Sequence, residues 1–254
     1  MTQWVDFAVV GPITRTVRDS ALYLDATVGY HPSDPSSLPH PGVSFNATVD
    51  QLPKRLRVAF HPDFGRPVDA GVRIEIERAA AAFKEMGHQL TVLDEPVMET
   101  FQSLADLGGY FAGHEHEFGR SFLANVRAAV QTTARDYGDA YRIRTQFNEW
   151  LRKVFERFDL LLTPMMPTEA FNASGPPPKE IDSMPLADLM QSMTFSYPFN
   201  FSGHPAASVR AGFGVNGLPC GLQIVAERHR DQLVMQAAYA YEQARPWNNR
   251  WPSV

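Results

Sequence analysis

A strand–helix–strand pattern between residues 55 and 93 constrains the fold of this chain more than any other feature. The apolar run RLRVAF at 55–60 is typical of a strand, and residues 89–93 are typical of a second one. Between them, apolar residues recur at helical spacing and stop before Gly87; they are Val72, Ile76, Ala79, Ala80, Phe83 and Met86. Two strands joined through a helix pair in parallel with a right-handed crossover. The pattern therefore predicts an α/β fold.

Helical periodicity continues on both sides of this unit. A first helix is predicted over about residues 14–28, with a buried face formed by Val17, Ala21, Leu24 and Val28. Long helices are predicted over residues 101–158. Asp231 is expected to cap a last helix, because a side-chain oxygen at that position can bond the free N–H groups of the first turn.

Three apolar runs in the second half of the chain predict further strands. The run FDLLLTP at 158–164 is typical of a buried strand. Two more runs, HPAASVRAGF and LPCGLQIV, are joined by residues 214–217, where Asn216-Gly217 favours a hairpin turn. Residues 164–185 contain six prolines, so we expect a loop that crosses the surface or forms the wall of a pocket.

Composition excludes several classes of protein. With 44% hydrophobic and 20% charged residues, the chain is expected to be globular, and its net charge of −5 argues against a nucleic-acid partner. The lone Cys220 cannot form an intramolecular disulfide, which makes the cytoplasm the default compartment. The first residues do not match a signal peptide, and no run of eighteen apolar residues without charge or proline predicts a membrane helix.

The residues alone offer no convincing nucleophile, metal site or cofactor site. In the sequence His114-Glu115-His116-Glu117, only His114 and Glu117 share a helix face, so a solvated face is favoured over a metal site. The pair Ser36-Ser37 lies between Pro35 and Leu38 and is typical of a turn. Cys220 is expected to be a small core residue, since no histidine is adjacent in the sequence.

Four segments of the chain together resemble the amidase signature family: GPITRTVRDSALYLDATVG (11–29), HPSDPSS (31–37), FERFDLLLTPMMPTEAF (155–171) and the block at 195–247. The most specific part runs from Pro198-x-Asn200-x-x-Gly203 to the GLPCGLQ sequence at 217–223. The resemblance implies a single α/β domain over residues 1–254, with a mixed twisted sheet covered by helices. It also implies hydrolysis of a carboxamide through an acyl-enzyme, which gives a carboxylate and ammonia or an amine.

These segments resemble the C-terminal part of the family's domain. The family carries its serine nucleophile, a bridging serine on a cis peptide and its base lysine in an earlier Gly-Ser-rich stretch and in the strand before it. Neither feature occurs in these 254 residues, so no catalytic residue is predicted here and no turnover is expected from this chain alone. The residues carried over are structural: Gly11, Pro12, Arg15, Asp19, Asn200 and Gly203.

The alternative is a non-catalytic half-domain or interaction subunit that pairs with a separate chain carrying the catalytic serines and lysine. As an amidase the protein is expected to take a small amide as its substrate, and self-association or pairing with the missing N-terminal half of the domain is expected as well. An interrupted sheet would leave open edges and uncovered apolar side chains, which normally drive association.

Candidate substrate contacts come from the sequence MTFSYPFNF at 193–201. In an extended conformation, alternation would point four side chains the same way: Met193, Phe195, Tyr197 and Phe199. The resemblance aligns Met193 with the position where the amidotransferases of the family place an acidic residue. We therefore expect an apolar or aromatic acyl group rather than glutamine, with simple core packing as the alternative for these aromatic residues.

One further departure from the family concerns the strand after this segment. Arg210 stands where the family commonly has proline in a Ser-Val-Pro-x-Gly sequence. We expect the end of that strand to be repacked or exposed.

Overall fold

The computed structural model describes most of the chain, namely residues 9–34, 36–95, 97, 116, 133–176, 178–186 and 192–247, with the side chain of Tyr137 excepted. The chain divides into two compact units. The larger combines Met1–Pro96 with Leu151–Val254, and the smaller is Val97–Trp150. Most of the smaller unit lies outside the described residues, including the predicted helical region at 101–132 apart from His116.

Six helices occur in the described residues: α1 (Val17–Thr27), α2 (Phe45–Thr48), α3 (Ala70–Glu85), α4 (Ala134–Arg157), α5 (Tyr197–Ser202) and α6 (Asp231–Ala244). The strands in the same part of the chain are β1 (Arg57–Phe60), β2 (Gln89–Val92), β3 (Leu160–Pro164), β4 (Glu180–Ile181), β5 (Met184–Pro185), β6 (Ala206–Phe213) and β7 (Pro219–Ala226). None of the described helices is long and apolar enough to cross a membrane.

A mixed sheet with strand order β2-β1-β3-β7-β6 forms the centre of the larger unit. Strand β1 runs parallel to both β2 and β3, whereas β7 runs antiparallel to both β3 and β6. The predicted strand–helix–strand unit is therefore confirmed as β1-α3-β2. The prediction of an α/β fold with a mixed sheet and flanking helices is confirmed as well.

Helices α3 and α6 both contact β6 and β7, and they bury the apolar faces that the sequence indicates. The prediction that Asp231 caps α6 is wrong. Arg230 is the capping residue, and Asp231 is the first helical residue without a side-chain capping bond. A carboxylate in the first turn still interacts favourably with the positive end of the helix dipole, which explains an acidic residue at this point.

Helix α1 begins later than the sequence predicts. Thr16 is the capping residue, and its Oγ1 accepts a hydrogen bond from the N–H of Asp19 at 3.2 Å. Only Val17 and Ala21 are buried, whereas Leu24 and Val28 remain partly exposed. A threonine can satisfy the free N–H groups of a first turn, so the helix starts after it rather than at residue 14.

The predicted hairpin between the last two strands is confirmed. The N–H of Gly217 donates to the carbonyl oxygen of Gly214 at 3.0 Å, and Gly217 has a φ of +75°, which a glycine adopts without strain. The proline-rich stretch at 164–185 is irregular where it is described, apart from the short antiparallel pair β4 and β5.

Candidate functional site

A cavity of about 520 Å³ opens beside strands β6 and β7 and the segment that follows β3. Its apolar lining comprises Met165, Met166, Ala170, Phe171, Val209, Pro219 and Cys220, and its polar lining comprises Thr168, Glu169, Ser192, Ser208 and Arg210. Gly221 allows the walls to approach, because a Cβ there would lie 2.8 Å from the Ser208 Oγ and 3.0 Å from the Met165 Cβ. This is a cavity suited to an apolar group with a few polar contacts.

Glu169 fixes one wall of this cavity to the β6–β7 hairpin. Its carboxylate accepts hydrogen bonds from the backbone N–H of Asn216 at 3.2 Å and from the side-chain Nδ2 of Asn216 at 2.6 Å. The segment after β3 therefore returns to the turn that closes the hairpin, and the prediction that this proline-rich stretch forms a pocket wall is confirmed for residues 165–171.

The buried side chain of Gln223 fixes the segment with the predicted substrate contacts. Its Nε2 donates to the Thr163 Oγ1 at 2.9 Å and to the backbone oxygen of Phe195 at 2.8 Å. Gln223 and Thr163 are register partners in the β3–β7 ladder, and both are buried. The sequence analysis does not predict that these two residues form a pair. Each is a polar residue in an otherwise apolar strand, and this is the feature of the sequence that could have indicated the contact.

The extended conformation assumed for residues 193–199 is wrong. The N–H of Ser196 donates to the carbonyl oxygen of Met193 at 3.1 Å, which closes a turn, and α5 follows from Tyr197. Phe195, Tyr197 and Phe199 are buried, whereas Met193 is partly exposed. The four side chains therefore do not form one row, and the role of any of them in substrate binding stays a prediction.

Phe64 accounts for the burial of two of these aromatic residues. Its ring centroid lies 5.5 Å from that of Phe195 and 6.3 Å from that of Phe199. Phe64 has a φ of +53°, a left-handed conformation that is rare for a bulky side chain. The ring packing holds this strained backbone, so the turn after β1 and the segment before α5 form one aromatic cluster.

A serine–histidine pair occurs on the same segment. The Ser202 Oγ and the His204 Nδ1 lie 2.9 Å apart, and the His204 ring stacks on Phe155 at 5.2 Å. Burial and the nearby Arg228 guanidinium lower the pKa of His204 to about 4, so the imidazole is neutral at pH 7. Ser202 is almost completely buried, which leaves its hydroxyl without access to a substrate. The pair is structural.

His61 and Cys220 are also held in buried positions. The His61 Nδ1 accepts from the N–H of Phe64 at 3.0 Å, which places the proton on Nε2, 2.8 Å from the backbone oxygen of Glu95. Burial raises the pKa of the Cys220 thiol, which disfavours the thiolate, and the prediction of a small core residue is confirmed.

No cluster of three or more histidine, cysteine, aspartate or glutamate side chains that could hold a metal occurs among the described residues. In the His114–Glu117 sequence only His116 is described, and the other three residues lie outside the described part.

The sequence of this chain is similar to those of two curated proteins. The chain is 31% identical to an acylamidase of Rhodococcus erythropolis over 99% of its own length and 55% of that protein. It is 30% identical to a glutamyl-tRNA(Gln) amidotransferase subunit of Trichodesmium erythraeum over 96% of its length and 57% of that protein. The chain thus spans about half the length of the curated relatives that it matches.

Solved structures show the same relationship. A bacterial aryl acylamidase superimposes with a TM-score of 0.82 and 27% identity, over 93% of this chain and 53% of that one. A 6-aminohexanoate cyclic dimer hydrolase superimposes with a TM-score of 0.76 and 25% identity, over 94% of this chain and 55% of that one. The family profile described as Amidase matches residues 2–235. With its mixed sheet, its GLPCGLQ strand and this profile match, the chain belongs to the amidase family.

Proposed function

We propose that this chain forms the C-terminal part of an amide hydrolase, and that the cavity between β6, β7 and residues 165–171 contributes a wall of its acyl pocket. The observation that carries the proposal is this apolar cavity, built on a fold shared with an aryl acylamidase at a TM-score of 0.82. Gln223 supports it, since a buried amide that anchors the backbone of Phe195 keeps the adjoining segment rigid.

In the proposed reaction, a serine oxygen attacks the carbonyl carbon of the amide, and the leaving nitrogen departs with a proton as ammonia or an amine. Water then hydrolyses the acyl-serine and releases the carboxylate. The serine, its bridging serine and the base lysine have to come from a segment outside these 254 residues. The described side chains bind the acyl group and exclude water from it.

We infer an apolar or aromatic acyl group for the substrate. Met165, Met166 and Phe171 line the cavity with thioether and aromatic surface, which favours apolar groups. Met193 offers no charge to a substrate ammonium. The chain is about equally identical to an acylamidase and to an amidotransferase subunit, so sequence identity does not distinguish between these two classes of substrate.

A second candidate function is that of a non-catalytic subunit that pairs with a separate chain. The similarity to an amidotransferase subunit of Trichodesmium erythraeum favours it, because that relative is by its name one chain of an assembly. Both functions are compatible with the cytoplasm, which we propose as the compartment because the single cysteine needs no oxidising environment.

The experiment fuses a part of the Rhodococcus erythropolis acylamidase to the N-terminus of the chain. The fused part is the one that this chain does not match, and the resemblance to the family places it upstream. Amine release from aryl acylamides would be measured for the fusion and for the chain alone. We expect turnover from the fusion and none above background from the chain, because nucleophile and base come with the added part. A folded fusion without turnover would favour the non-catalytic role, and turnover by the purified chain alone would contradict the proposal.

A further inference from the structure

A second cavity among the described residues, of about 490 Å³, lies between α3, β6 and the end of α6. We call it the arginine cavity, because its lining includes Arg78, Arg210 and Arg245. Its volume is in the range of cavities that hold small organic ligands. Its lining shares only Arg210 with the first cavity, so the two are separate sites.

Positive and negative groups at the arginine cavity are unequal in number. The lining contains two carboxylates, Glu75 and Glu85, beside the three guanidinium groups. Arg78 is paired with Glu75, and Arg245 is paired with Glu85. The described lining thus carries one positive charge in excess, whereas the whole chain has a net charge of −5. This excess favours an anion with a single negative charge.

Two of the guanidinium groups act on the buried phenol of Tyr241. Burial raises the pKa of Tyr241 to about 12, and the positive charges of Arg210 and Arg245 oppose that rise. The Tyr241 hydroxyl donates to the carbonyl oxygen of Ala211 at 3.4 Å, so it holds the strand rather than a ligand. An anion in the cavity near this phenol would therefore be within electrostatic reach of both arginines.

Strand β6 contains a bulge where it borders the cavity. The register shifts between Arg210 and Gly212, which makes Ala211 the extra residue. Because Gly212 has no side chain, the Glu75 carboxylate lies directly against the strand. Bulges change the direction of side chains and are common beside functional sites. The expected repacking of the strand end at Arg210 is confirmed.

Aromatic rings hold the Arg210 guanidinium at this position. Its central carbon lies 5.0 Å from the centroid of the Phe213 ring and 5.8 Å from that of the Trp247 ring. Its Nη2 donates to the backbone oxygen of Pro246 at 3.4 Å. A guanidinium that is already held in place loses little freedom when it binds a carboxylate, to which it can donate two parallel hydrogen bonds.

The uncharged part of the lining favours a flat apolar ligand. Phe213 and Tyr241 contribute ring surface, and the neighbouring residues Ala79, Ala211 and Gly212 are small. Aromatic rings of a ligand pack well against surface of this kind. An inorganic anion would leave it uncovered, whereas an aromatic acid would cover it.

We propose that the arginine cavity binds an aromatic monocarboxylate, with the carboxylate on Arg210 and Arg245 and the ring against Phe213. The site is independent of the proposed function, although the acid that hydrolysis of an aryl amide would release belongs to the same class of ligand. Its test measures binding to the chain alone and needs no turnover. Failure of this inference would therefore leave the proposed function standing, and the reverse also holds.

The test is an NMR titration of the chain with benzoate, benzamide and acetate at pH 7. Benzamide has the shape of benzoate without the charge, and acetate has the charge without the ring. We expect benzoate to bind at least about tenfold more tightly than either, with the largest shifts at the amides of Ala211, Gly212 and Phe213. Benzoate binding no tighter than that of benzamide or acetate would overturn the proposal. Largest shifts at Met165 and Gly221, in the first cavity, would overturn it as well.

A pair of arginine variants tests the position of the charge. Arg210→Gln should weaken benzoate binding at least about tenfold, because it removes a charged hydrogen-bond donor from the cavity. Arg152→Gln removes the same charge from the exposed surface of α4, outside this lining, and should change the affinity less than about twofold. Equal losses in the two variants would assign the attraction to the charge of the whole protein and overturn the proposal.

A third variant should strengthen binding, which a misfolded protein cannot do. Glu85 is exposed and paired with Arg245. Glu85→Gln removes this competing carboxylate, so benzoate should bind about threefold more tightly, and the gain should shrink at high salt. Unchanged or weaker binding by Glu85→Gln would contradict the proposal.

Discussion

The Glu242 carboxylate accepts a hydrogen bond from the backbone N–H of Val17 at 3.1 Å. Both residues are buried, and the bond joins α6 to the first turn of α1. Thr16 satisfies another N–H of the same turn through its side chain. A residue near the end of the described chain thus completes the cap of the first helix, so the two ends of the larger unit stabilise each other.

Two substitutions of Glu242 distinguish the effect of its negative charge on stability from the effect of its hydrogen-bond acceptor. Burial raises the pKa of Glu242, so the folded state favours the protonated side chain. Glu242→Gln keeps an acceptor without the charge and should be at least as stable as the wild type at pH 7. Glu242→Leu leaves the N–H of Val17 buried without a partner and should cost about 1–3 kcal/mol in the free energy of unfolding. Urea denaturation measures both.

The pH dependence provides the control for that experiment. With a folded pKa above the unfolded one, the stabilising contribution of the protonated side chain is lost as pH rises through the folded pKa. The difference in unfolding free energy between wild type and Glu242→Gln should therefore shrink as pH falls towards the normal range of a glutamate. A difference that grows at acidic pH would show that the buried carboxylate is not penalised.

Substitution of the buried Gln223 should lower the free energy of unfolding, because its side chain donates two hydrogen bonds. Gln223→Met keeps the length of the side chain but removes both donated hydrogen bonds, and the resulting loss should be about 1–3 kcal/mol in unfolding free energy. The measurement is a double-mutant cycle with Thr163→Val. We expect a coupling energy of at least about 0.5 kcal/mol, because the two side chains are bonded directly. Strict additivity of the two substitutions would contradict the contact.

The sequence predicts the parts of this fold that depend on neighbouring residues. The β1-α3-β2 unit and the hairpin at Gly217 follow from local periodicity and turn chemistry, and they are present as predicted. The contact of Gln223 with Phe195 and that of Glu242 with Val17 join residues far apart in the chain. No local pattern indicates which distant group will bond to a buried polar side chain.

The error at residues 193–199 has a local cause. Alternating aromatic residues fit both an extended stretch and a turn followed by a short helix, since a short apolar run does not distinguish periods of 2 and 3.6. In the structure the segment forms a turn and a short helix, and Phe195 and Phe199 contact Phe64. The left-handed backbone of Phe64 cannot be predicted from its residue type.

Because Phe64 has a left-handed backbone conformation, glycine should be less destabilising than alanine at this position. Phe64→Ala should cost about 3–5 kcal/mol, because the ring fills the aromatic cluster. Phe64→Gly loses the same ring but tolerates a positive φ, so it should be about 1 kcal/mol more stable than Phe64→Ala. Chemical denaturation of the two variants decides the order.

An exposed helical position serves as the matched control for this comparison. Ala81 lies on the exposed side of α3, and Ala81→Gly should lower stability by about 1 kcal/mol, the opposite sign for the same pair of residues. If glycine were less stable than alanine at both positions, residue 64 would not have the left-handed backbone.

His204 should make the protein acid-sensitive in a defined window. Its pKa is lowered from 6.5 to about 4, so the unfolded chain binds a proton that the folded chain does not. Stability is unaffected above the unfolded pKa, falls as pH drops below it, and reaches its full loss near the folded pKa, up to about 2–3 kcal/mol. Urea denaturation at pH 7, 6 and 5 should show this slope, and His204→Gln should flatten it. A slope that persists in His204→Gln would assign the effect to other groups.

The last prediction concerns the acyl group and uses the active fusion. Met193 is partly exposed, and Ser192 beside it lines the cavity. A buried methionine contact favours apolar surface by roughly 1.5–3 kcal/mol and offers nothing to an ammonium group. The wild-type fusion should therefore prefer benzamide-like over glutamine-like substrates in kcat/KM.

Met193→Asp should reduce that preference at least about tenfold, because a carboxylate attracts the substrate ammonium and disfavours an apolar ring. Met193→Leu keeps apolar surface of similar volume and should leave the preference within a few-fold of wild type. A wild-type preference for glutamine-like amides, or equal effects of Asp and Leu, would remove Met193 from the pocket and leave the Met165 cavity as the acyl site on its own.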